Sequence, residues 1–455
     1  MTELRTVQKT ALNKASRKAV QQCFTGLRQH FSRDCWIDTS NRYLNDCIRN
    51  LDTDTQTGCT VNHNHLATYI AASAILHCAD GWSFLGRALD CHNRGDSNAA
   101  RHIGYYAELR AAIALLAGDG IGIFADRHFV VDSNCNCQIL PNYQGNKHPR
   151  THDITWLALK HWASLGTSAD LLADIITPGG IPLRSWLNCF RAGASFVPIT
   201  GKWLETWGLD LERFSDDREA RNEASYRPNR FRPQIPLDVL ISSSFLRDLW
   251  TMCEPSAPSR FTALDRHLLR LCLEQAYEAI TGRKAHADPR GFAIRIDKML
   301  DNIVPGGLST KSEWSHFLTR TVERDNSMTI REALGKLPIG DPKHHVQVLS
   351  RAALLLRIAT GSCSQLIRQA GFTRSDLEFW WKPLGEALGL WGSGEEPSEL
   401  TDLWADVQTA LQETEAWESA NRGGTTSFAK LRRELPTPLL ILAGCERIAL
   451  WGLGV

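Results

Sequence analysis

The chain has 455 residues, a formal net charge of +1 at pH 7 and a hydrophobic content of 43%. Its length predicts two or three domains, and its apolar content is ordinary for a protein that builds a real core. The near-zero net charge excludes a global basic field as a sign of nucleic-acid binding. No run of 18 apolar residues occurs, so we expect no membrane span.

Two further features of the composition predict a cytoplasmic location. The N-terminal segment carries mixed charges and no apolar core, so it is not typical of a signal peptide. The 13 cysteines are odd in number and lie mostly in apolar helical patterns, as expected in a reducing compartment. Arginine outnumbers lysine about three to one, which is typical of a GC-rich genome and also suits bidentate contacts with phosphate.

Helical periodicity dominates the first half of the chain. The turn Arg94–Gly95–Asp96 separates the two longest predicted helices, the second of which is very apolar. Residues 125–150 have an extended pattern, HFVVD, followed by a polar loop. The predicted helices of this half lie within 3–32, 43–51, 66–93, 98–118, 152–165 and 182–192.

The segment Arg227–Pro236 contains three prolines, which disfavour a helix and predict a linker. Helical periodicity returns after it and strand signals are few, so we expect a mainly α protein in which a helical bundle is followed by a second all-helical domain. The predicted domains are an N-terminal helical extension at 1–64, a bundle at 65–228 and a C-terminal domain at 237–455. The later helices are predicted at 237–252, 261–281, 312–324, 345–360, 363–370, 374–389, 398–419 and 437–451.

The most informative stretch of the sequence is 84–132. A helix is followed there by a short Gly-Asp turn, an Ala-rich apolar helix, a glycine and then a histidine. This pattern resembles the first helical hairpin of HEPN domains, all-α bundles found as RNA-cutting toxins or as inactive binding modules. The resemblance implies a HEPN-like bundle over about 66–228. The matching residues are Gly95–Asp96, Tyr105–Tyr106–Ala107, Ala111–Ala112, Leu115–Leu116, Gly120 and His128.

The resemblance also implies a function: an RNA-binding or RNA-cleaving protein of a bacterial anti-phage defence or toxin-type system. HEPN ribonucleases cleave without a metal, using an arginine to stabilise charge on the phosphorane and a histidine, four to six residues later, to assist the 2′-hydroxyl. If the protein is an enzyme, the resemblance therefore implies a metal-independent endoribonuclease, and we expect no cofactor and no metal. Sites of this family commonly form at a two-fold interface, which implies a homodimer or a protein partner in addition to RNA.

The polar segment 216–228 stands where the family has its catalytic motif. Arg221 followed by Asn222 matches the usual start of that motif, but Tyr226 stands where the histidine is expected. A tyrosine with a pKa near 10 is not a general base at neutral pH, although it can donate a proton or bond a phosphate. We expect Arg221, Asn222 and Tyr226 to form the catalytic motif. The expected substrate-binding residues are Arg218, Arg227 and Glu108.

The same residues allow a purely structural interpretation. Residues 216–228 would then form a surface helix with an Asp217–Arg221 ion pair and with Tyr226 closing the core. Glu108 interrupts an apolar helix and would need a partner if it were buried. A pair between Glu108 and Arg221 would connect the two motif helices.

Metal binding is a weaker alternative. Cys135, Cys137, His148 and His152 supply the ligand types of a structural zinc site, although the Cys-x-Cys spacing is tighter than usual. Ordinary polar loops are the preferred interpretation, so we predict no metal site. A second possible cluster consists of Cys59, His63 and His65.

A non-catalytic scaffold is the competing functional hypothesis. The histidine missing from the motif favours a degenerate HEPN-like core in a subunit of a multiprotein defence complex. The 15 tryptophans favour either deep helical packing or large partner interfaces. We prefer packing as the role of the tryptophans. The scaffold hypothesis would instead place tryptophans of the C-terminal half in partner interfaces.

Overall fold

The computed structural model describes residues 3–56, 60–142, 150–191, 203–226, 237–256, 260–307, 309–320 and 327–454. Over this part of the chain the protein is mainly α-helical, which confirms the predicted fold class. One small antiparallel sheet is the exception. None of the described helices is long and apolar enough to cross a membrane.

The first half of the chain contains two long helices, several shorter ones and the sheet. The helices before the sheet are α1 (Thr6–Leu12), α2 (Arg17–Thr25), α3 (Arg28–Phe31), α4 (Cys47–Gln56), α5 (His63–Asn93) and α6 (Ser97–Gly118). The strands are β1 (Ile121–Ile123), β2 (His128–Val131) and β3 (Cys137–Ile139), hydrogen-bonded in that order. The helices that follow are α7 (Thr151–Ala163), α8 (Gly166–Ile175), α9 (Leu183–Arg191), α10 (Trp203–Thr206) and α11 (Arg213–Tyr226).

The second half is helical wherever it forms regular structure in the described residues. Short 3₁₀ turns connect some of its helices. The helices are α12 (Val239–Met252), α13 (Thr262–Thr281), α14 (Pro289–Leu300), α15 (Lys311–Thr319), α16 (Met328–Leu334), α17 (His344–Gln369), α18 (Glu378–Ala387), α19 (Trp404–Ala420), α20 (Phe428–Glu434), α21 (Pro436–Leu442) and α22 (Glu446–Leu453).

The hairpin of α5 and α6 is present as predicted. Gly95 in the turn has φ +72°, a left-handed conformation that glycine adopts without strain. Asp96 begins α6, because its side chain accepts a hydrogen bond of 3.0 Å from the backbone N–H of Ala99. The residues predicted to pack this hairpin are all fully buried: Tyr105, Ala112, Leu115 and Leu116.

Helix α17 packs along both helices of the hairpin and closes its core. Side chains on every face of this helix are buried from His344 to Cys363, as expected of a helix surrounded by others. The predicted HEPN-like bundle and the predicted C-terminal domain therefore share one hydrophobic core. The boundary at 229–236 lies outside the described residues, and the division into domains stays a prediction.

Helices α14, α16 and α20 were not predicted, and two further differences in the second half have a clear physical cause. A break between residues 360 and 363 was expected, but α17 continues through Gly361, because burial outweighs the cost of about 1 kcal/mol for a helical glycine. One helix was expected over 437–451, but α21 and α22 are separate. The chain between them passes α5 so closely at Gly86 that a Cβ there would collide with the carbonyl oxygen of Ala443.

The sheet was predicted only in part. The run HFVVD supplies β2, as its extended pattern suggests, and Phe129 pairs with Gly122 on one side and Ile139 on the other. Strands β1 and β3 have three residues each, too few to show a period of two in the sequence.

The tryptophans mainly pack the core, which confirms the preferred interpretation. Eleven of the 15 side chains are buried, among them Trp82, Trp250 and Trp451 at 0% exposure. The other four are partly buried against the same core. The partner interfaces that the scaffold hypothesis places on tryptophans in the C-terminal half therefore have little exposed indole surface to use.

A buried ion cluster joins α6, α11 and α17. Two nitrogen–oxygen contacts of 2.7 Å connect the Arg351 guanidinium to Asp217, and Arg351 Nε lies 3.6 Å from Glu108 Oε1. All three side chains are at most 2% exposed. Burial and the nearby Asp217 charge raise the pKa of Glu108 well above its usual range, although Arg351 opposes this. The expected pairs Glu108–Arg221 and Asp217–Arg221 are wrong, because Arg351 takes both carboxylates.

Replacing Arg351 tests how far the fold depends on this cluster. Arg351→Met should lower the free energy of unfolding by about 3–5 kcal/mol, because the buried Asp217 carboxylate would lose its guanidinium partner. Urea denaturation at pH 7 measures the change. Arg290→Met, at an exposed site on α14, is the control and should change little. A change below about 1 kcal/mol for Arg351→Met would contradict the argument.

Glu108 should behave differently in the same experiment. Its pKa is raised in the folded protein, so its stabilising contribution is complete at low pH and is lost as the pH rises through the folded value. Glu108→Gln keeps the shape and the neutral form, and it should flatten the decrease of stability with rising pH. An unchanged pH profile in urea denaturation would show that Glu108 is ionised in the fold.

Candidate functional site

Helix α11, which carries the predicted motif, packs against α6 and α7. Three of its side chains make contacts that hold it to α7 and to α17. The ring of Phe214 stacks on Trp156 with centroids 4.1 Å apart and planes 3° from parallel. Asp217 meets Arg351 in the buried cluster. Arg218 donates a hydrogen bond to the carboxylate of Asp153. These contacts fix the rotation of α11 and therefore the direction in which Arg221, one turn after Asp217, extends.

Arg221 lies over the two tyrosines of the YYA motif. Its guanidinium carbon is 5.5 Å from the ring centroid of Tyr105 and 5.8 Å from that of Tyr106. Its Nη1 is 3.4 Å from the hydroxyl oxygen of Tyr106. The two cation–π contacts hold the guanidinium against α6, at a half-buried position.

Two histidines adjoin this arginine although neither belongs to α11. His102 on α6 has its Nδ1 2.8 Å from the hydroxyl of Ser225, and its ring centroid is 5.3 Å from that of Tyr106. His152 on α7 has its Nδ1 3.1 Å from the hydroxyl of Tyr105. The fold thus brings together an arginine, two imidazoles and two phenols from three helices.

The electrostatics of the site keep both imidazoles neutral at pH 7. Burial lowers the pKa of His102, and the positive charge of Arg221 lowers it further. Burial also lowers the pKa of His152, followed by the charges of Arg221 and Arg218. A neutral imidazole has a free lone pair that can accept a proton, so each histidine is in the form that a general base requires.

An Arg–aromatic surface extends from this site along the hairpin and consists of Arg221, Tyr106, Phe84, Arg87 and Arg110. The ring of Phe84 stacks on Tyr106 with centroids 5.8 Å apart. Arg87 and Arg110 lie over the same Phe84 ring at 5.5 and 5.9 Å. Alternating guanidinium and aromatic groups offer stacking for bases and hydrogen bonds for phosphates, the combination used by proteins that bind single-stranded nucleic acids.

The structure separates the six predicted site residues. Arg221 and Arg218 lie at the site, although Arg218 is engaged by Asp153, and Asn222 is half-buried beside them. Tyr226 is 81% exposed at the end of α11. The structural interpretation required Tyr226 to close the core, and it does not. Glu108 is enclosed in the buried cluster with no surface for a substrate, and Arg227 lies outside the described residues.

The sequence motif does not predict the histidines of the site, because the motif is confined to a single helix. The family motif places arginine and histidine close in sequence, whereas His102 and Arg221 come from helices far apart in the chain. The sequence does contain a signal for His102. It lies four residues before Tyr106 and therefore on the same face of the helix as the YYA motif. The signal for His152 is weaker, because nothing in the sequence connects α7 to this face.

The proposed zinc ligands are not assembled in the described part of the chain. His152 bonds Tyr105, and the backbone N–H of Cys137 donates to His63 Nδ1 at 3.0 Å. Among the described residues, no three His, Cys, Asp or Glu side chains are grouped to hold a metal ion. His148 and Cys59 of the two candidate clusters lie outside the described residues.

The chain matches no protein-family model, and no curated protein and no solved structure is significantly similar to it. The resemblance to HEPN domains therefore rests on the motif residues within 84–132.

The geometry around Arg221 predicts how the histidines titrate. Arg221→Gln should raise the titration midpoints of His102 and His152, because it removes a positive charge that lowers the pKa of both. NMR spectra of the imidazole C–H groups, assigned with single His→Gln variants, measure the midpoints. Arg87→Gln serves as the control. It removes a positive charge from the same surface, but the charge of Arg87 is not among the causes of the pKa shift of either histidine. Unchanged midpoints in Arg221→Gln would mean that the arginine lies elsewhere.

Proposed function

We propose that this protein binds single-stranded RNA on the Arg–aromatic surface and cleaves it as a metal-independent, HEPN-like endoribonuclease. The observation that carries the proposal is the position of Arg221 on Tyr105 and Tyr106, with the His102 imidazole beside it. A fixed cation and a neutral base on one half-exposed surface are the two groups that such a cleavage needs.

The chemistry follows from the roles of these groups. The imidazole of His102 takes the proton of a ribose 2′-hydroxyl, and the 2′-oxygen attacks the adjacent phosphorus. Arg221 stabilises the negative charge that develops on the phosphoryl oxygens. The bond from phosphorus to the 5′-oxygen breaks, and that oxygen takes a proton from water. The products are a 2′,3′-cyclic phosphate and a 5′-hydroxyl end, and the imidazolium returns its proton to water.

In this proposal Tyr226 does not donate a proton but stacks on a base of the RNA. Its ring is exposed at the end of α11, where it is free to stack on a base next to the cleaved phosphate. Asn222, one position after Arg221, offers an amide to the same strand. The biological setting, anti-phage defence or a toxin-type response, is proposed only from what HEPN-like proteins commonly do.

Different variants should affect RNA cleavage and RNA binding differently. With fluorescent single-stranded RNA in buffer containing EDTA, Arg221→Gln and His102→Gln should reduce the cleavage rate at least about 100-fold, the usual contribution of such groups. Tyr226→Phe should retain cleavage, whereas Tyr226→Ala should weaken binding by about 1–3 kcal/mol, measured by fluorescence anisotropy. Arg290→Gln is the control for the loss of a surface charge.

Two results would contradict the proposal. The first is RNA binding by the wild type that Arg221→Gln and Arg87→Gln leave unchanged. The second is cleavage that persists when the RNA carries 2′-deoxyribose at the cut position. If binding is lost in these variants but the wild type never cleaves, the non-catalytic interpretation holds for this site. In cells, phage challenge with the wild type and Arg221→Gln tests the defence setting.

A two-fold assembly would complete such a site. If the exposed end of α11 met its copy, two Arg221 side chains could contact one phosphate, and a self-complementary contact is the commonest route to a dimer. Light scattering should then show a homodimer, and Tyr226→Arg should give a monomer with reduced cleavage. A wild-type monomer at micromolar concentration, with no co-purifying partner, would contradict this assembly.

A further inference from the structure

A polar cavity lies between α8, α17 and α22 and is lined by residues that do not belong to the proposed RNA site. Its volume is about 140 Å³, roughly ten times what one enclosed water molecule needs. That is room for a phosphoryl group with some water, but not for a whole nucleotide. The residues that matter for its chemistry are Arg260, Arg357, Arg368, Ser364 and Gly361.

The charges around this cavity do not balance. Arg357 is buried and neutralised by Asp265 at 2.9 and 2.7 Å. Arg260 donates a hydrogen bond to the carbonyl of Trp451, and Arg368 donates one to the Ser364 hydroxyl at 3.2 Å. Within the described residues no carboxylate is within salt-bridge distance of Arg260 or Arg368. Two guanidinium groups that no carboxylate of the described residues neutralises by a salt bridge therefore face one partly enclosed space.

These arginines also influence each other. Burial lowers the pKa of Arg260, and the charge of Arg368 lowers it further, although the charge of Glu399 opposes this. Burial lowers the pKa of Arg368, and the charge of Arg357 adds to this. Bringing like charges together in a partly dry site costs free energy that a bound anion would offset.

Glycine leaves the floor of the cavity open. A Cβ at Gly361 would lie 2.6 Å from Arg357 Nη1, so glycine is what allows that guanidinium to lie against the backbone of α17. The hydrogen bonds that Arg357 makes within the described residues use Nε and Nη2, and Nη1 takes part in none of them. A third guanidinium edge is thus turned towards the same space as Arg260 and Arg368.

We propose that this cavity binds one phosphoryl oxyanion. Planar guanidinium groups bond phosphate oxygens in pairs, and the Ser364 hydroxyl supplies a further donor. The ligand is either free phosphate or the terminal phosphate of a monoester, because both present the same tetrahedral group. The site is independent of RNA cleavage at Arg221.

Isothermal titration calorimetry at low ionic strength tests the proposal, with inorganic phosphate and adenosine 5′-monophosphate as separate probes. The wild type should bind one equivalent of at least one probe. Arg368→Gln, at the exposed mouth, and Arg260→Gln should each weaken binding at least about tenfold, because each removes a charged hydrogen-bond donor. Arg290→Gln and Arg221→Gln should bind as the wild type does. Thermal melting of each variant confirms that it is folded.

Each outcome decides the matter. Tighter binding of the monophosphate supports a monoester ligand, and equal or tighter binding of phosphate supports the free ion. No saturable binding of either probe to the wild type overturns the proposal. So does binding that Arg221→Gln removes and Arg368→Gln does not, since the anion would then occupy the other site. If Arg260→Gln unfolds, the result for Arg368→Gln alone decides.

Discussion

The packing of this protein depends on one buried guanidinium. Arg351 lies between Glu108 and Asp217, so it joins α17 to α6 and α11 where no water can replace a lost partner. A buried ion cluster is weak evidence for stability, since apolar side chains can fill the same space. Its effect here is geometric: only one rotation of α11 brings Asp217 to Arg351, and that rotation directs Arg221 onto the tyrosines of α6.

Much of the fold follows from local signals. The hairpin was predictable because a long apolar pattern, Gly95 in a left-handed turn and Asp96 at a helix start all agree. The errors occur where tertiary contacts override local preference. Burial prevents the break that was expected after residue 360, and the chain after Leu442 leaves its helix to pass Gly86. No pattern confined to one helix contains that information.

The sequence predicted only part of the candidate site. Arg221 was identified from its place in a motif, because the motif is local in sequence. Its histidine partners were not, since His102 and His152 reach it from two other helices. The assignment of Glu108 failed for a related reason: a charged residue in an apolar helix needs a partner, but the sequence does not say which. Arg351, more than two hundred residues later, becomes visible only in the fold.

The position of α17 has a consequence for how the chain folds during synthesis. Helix α6 ends at Gly118 and the helix that covers it begins at His344, so α6 leaves the ribosome long before its cover. Contacts so distant in sequence form slowly, and the apolar face of α6 is exposed until they do. A fragment that ends near residue 228 would keep that face exposed permanently. Expressed alone, such a fragment would associate with itself or with chaperones instead of folding as an independent module.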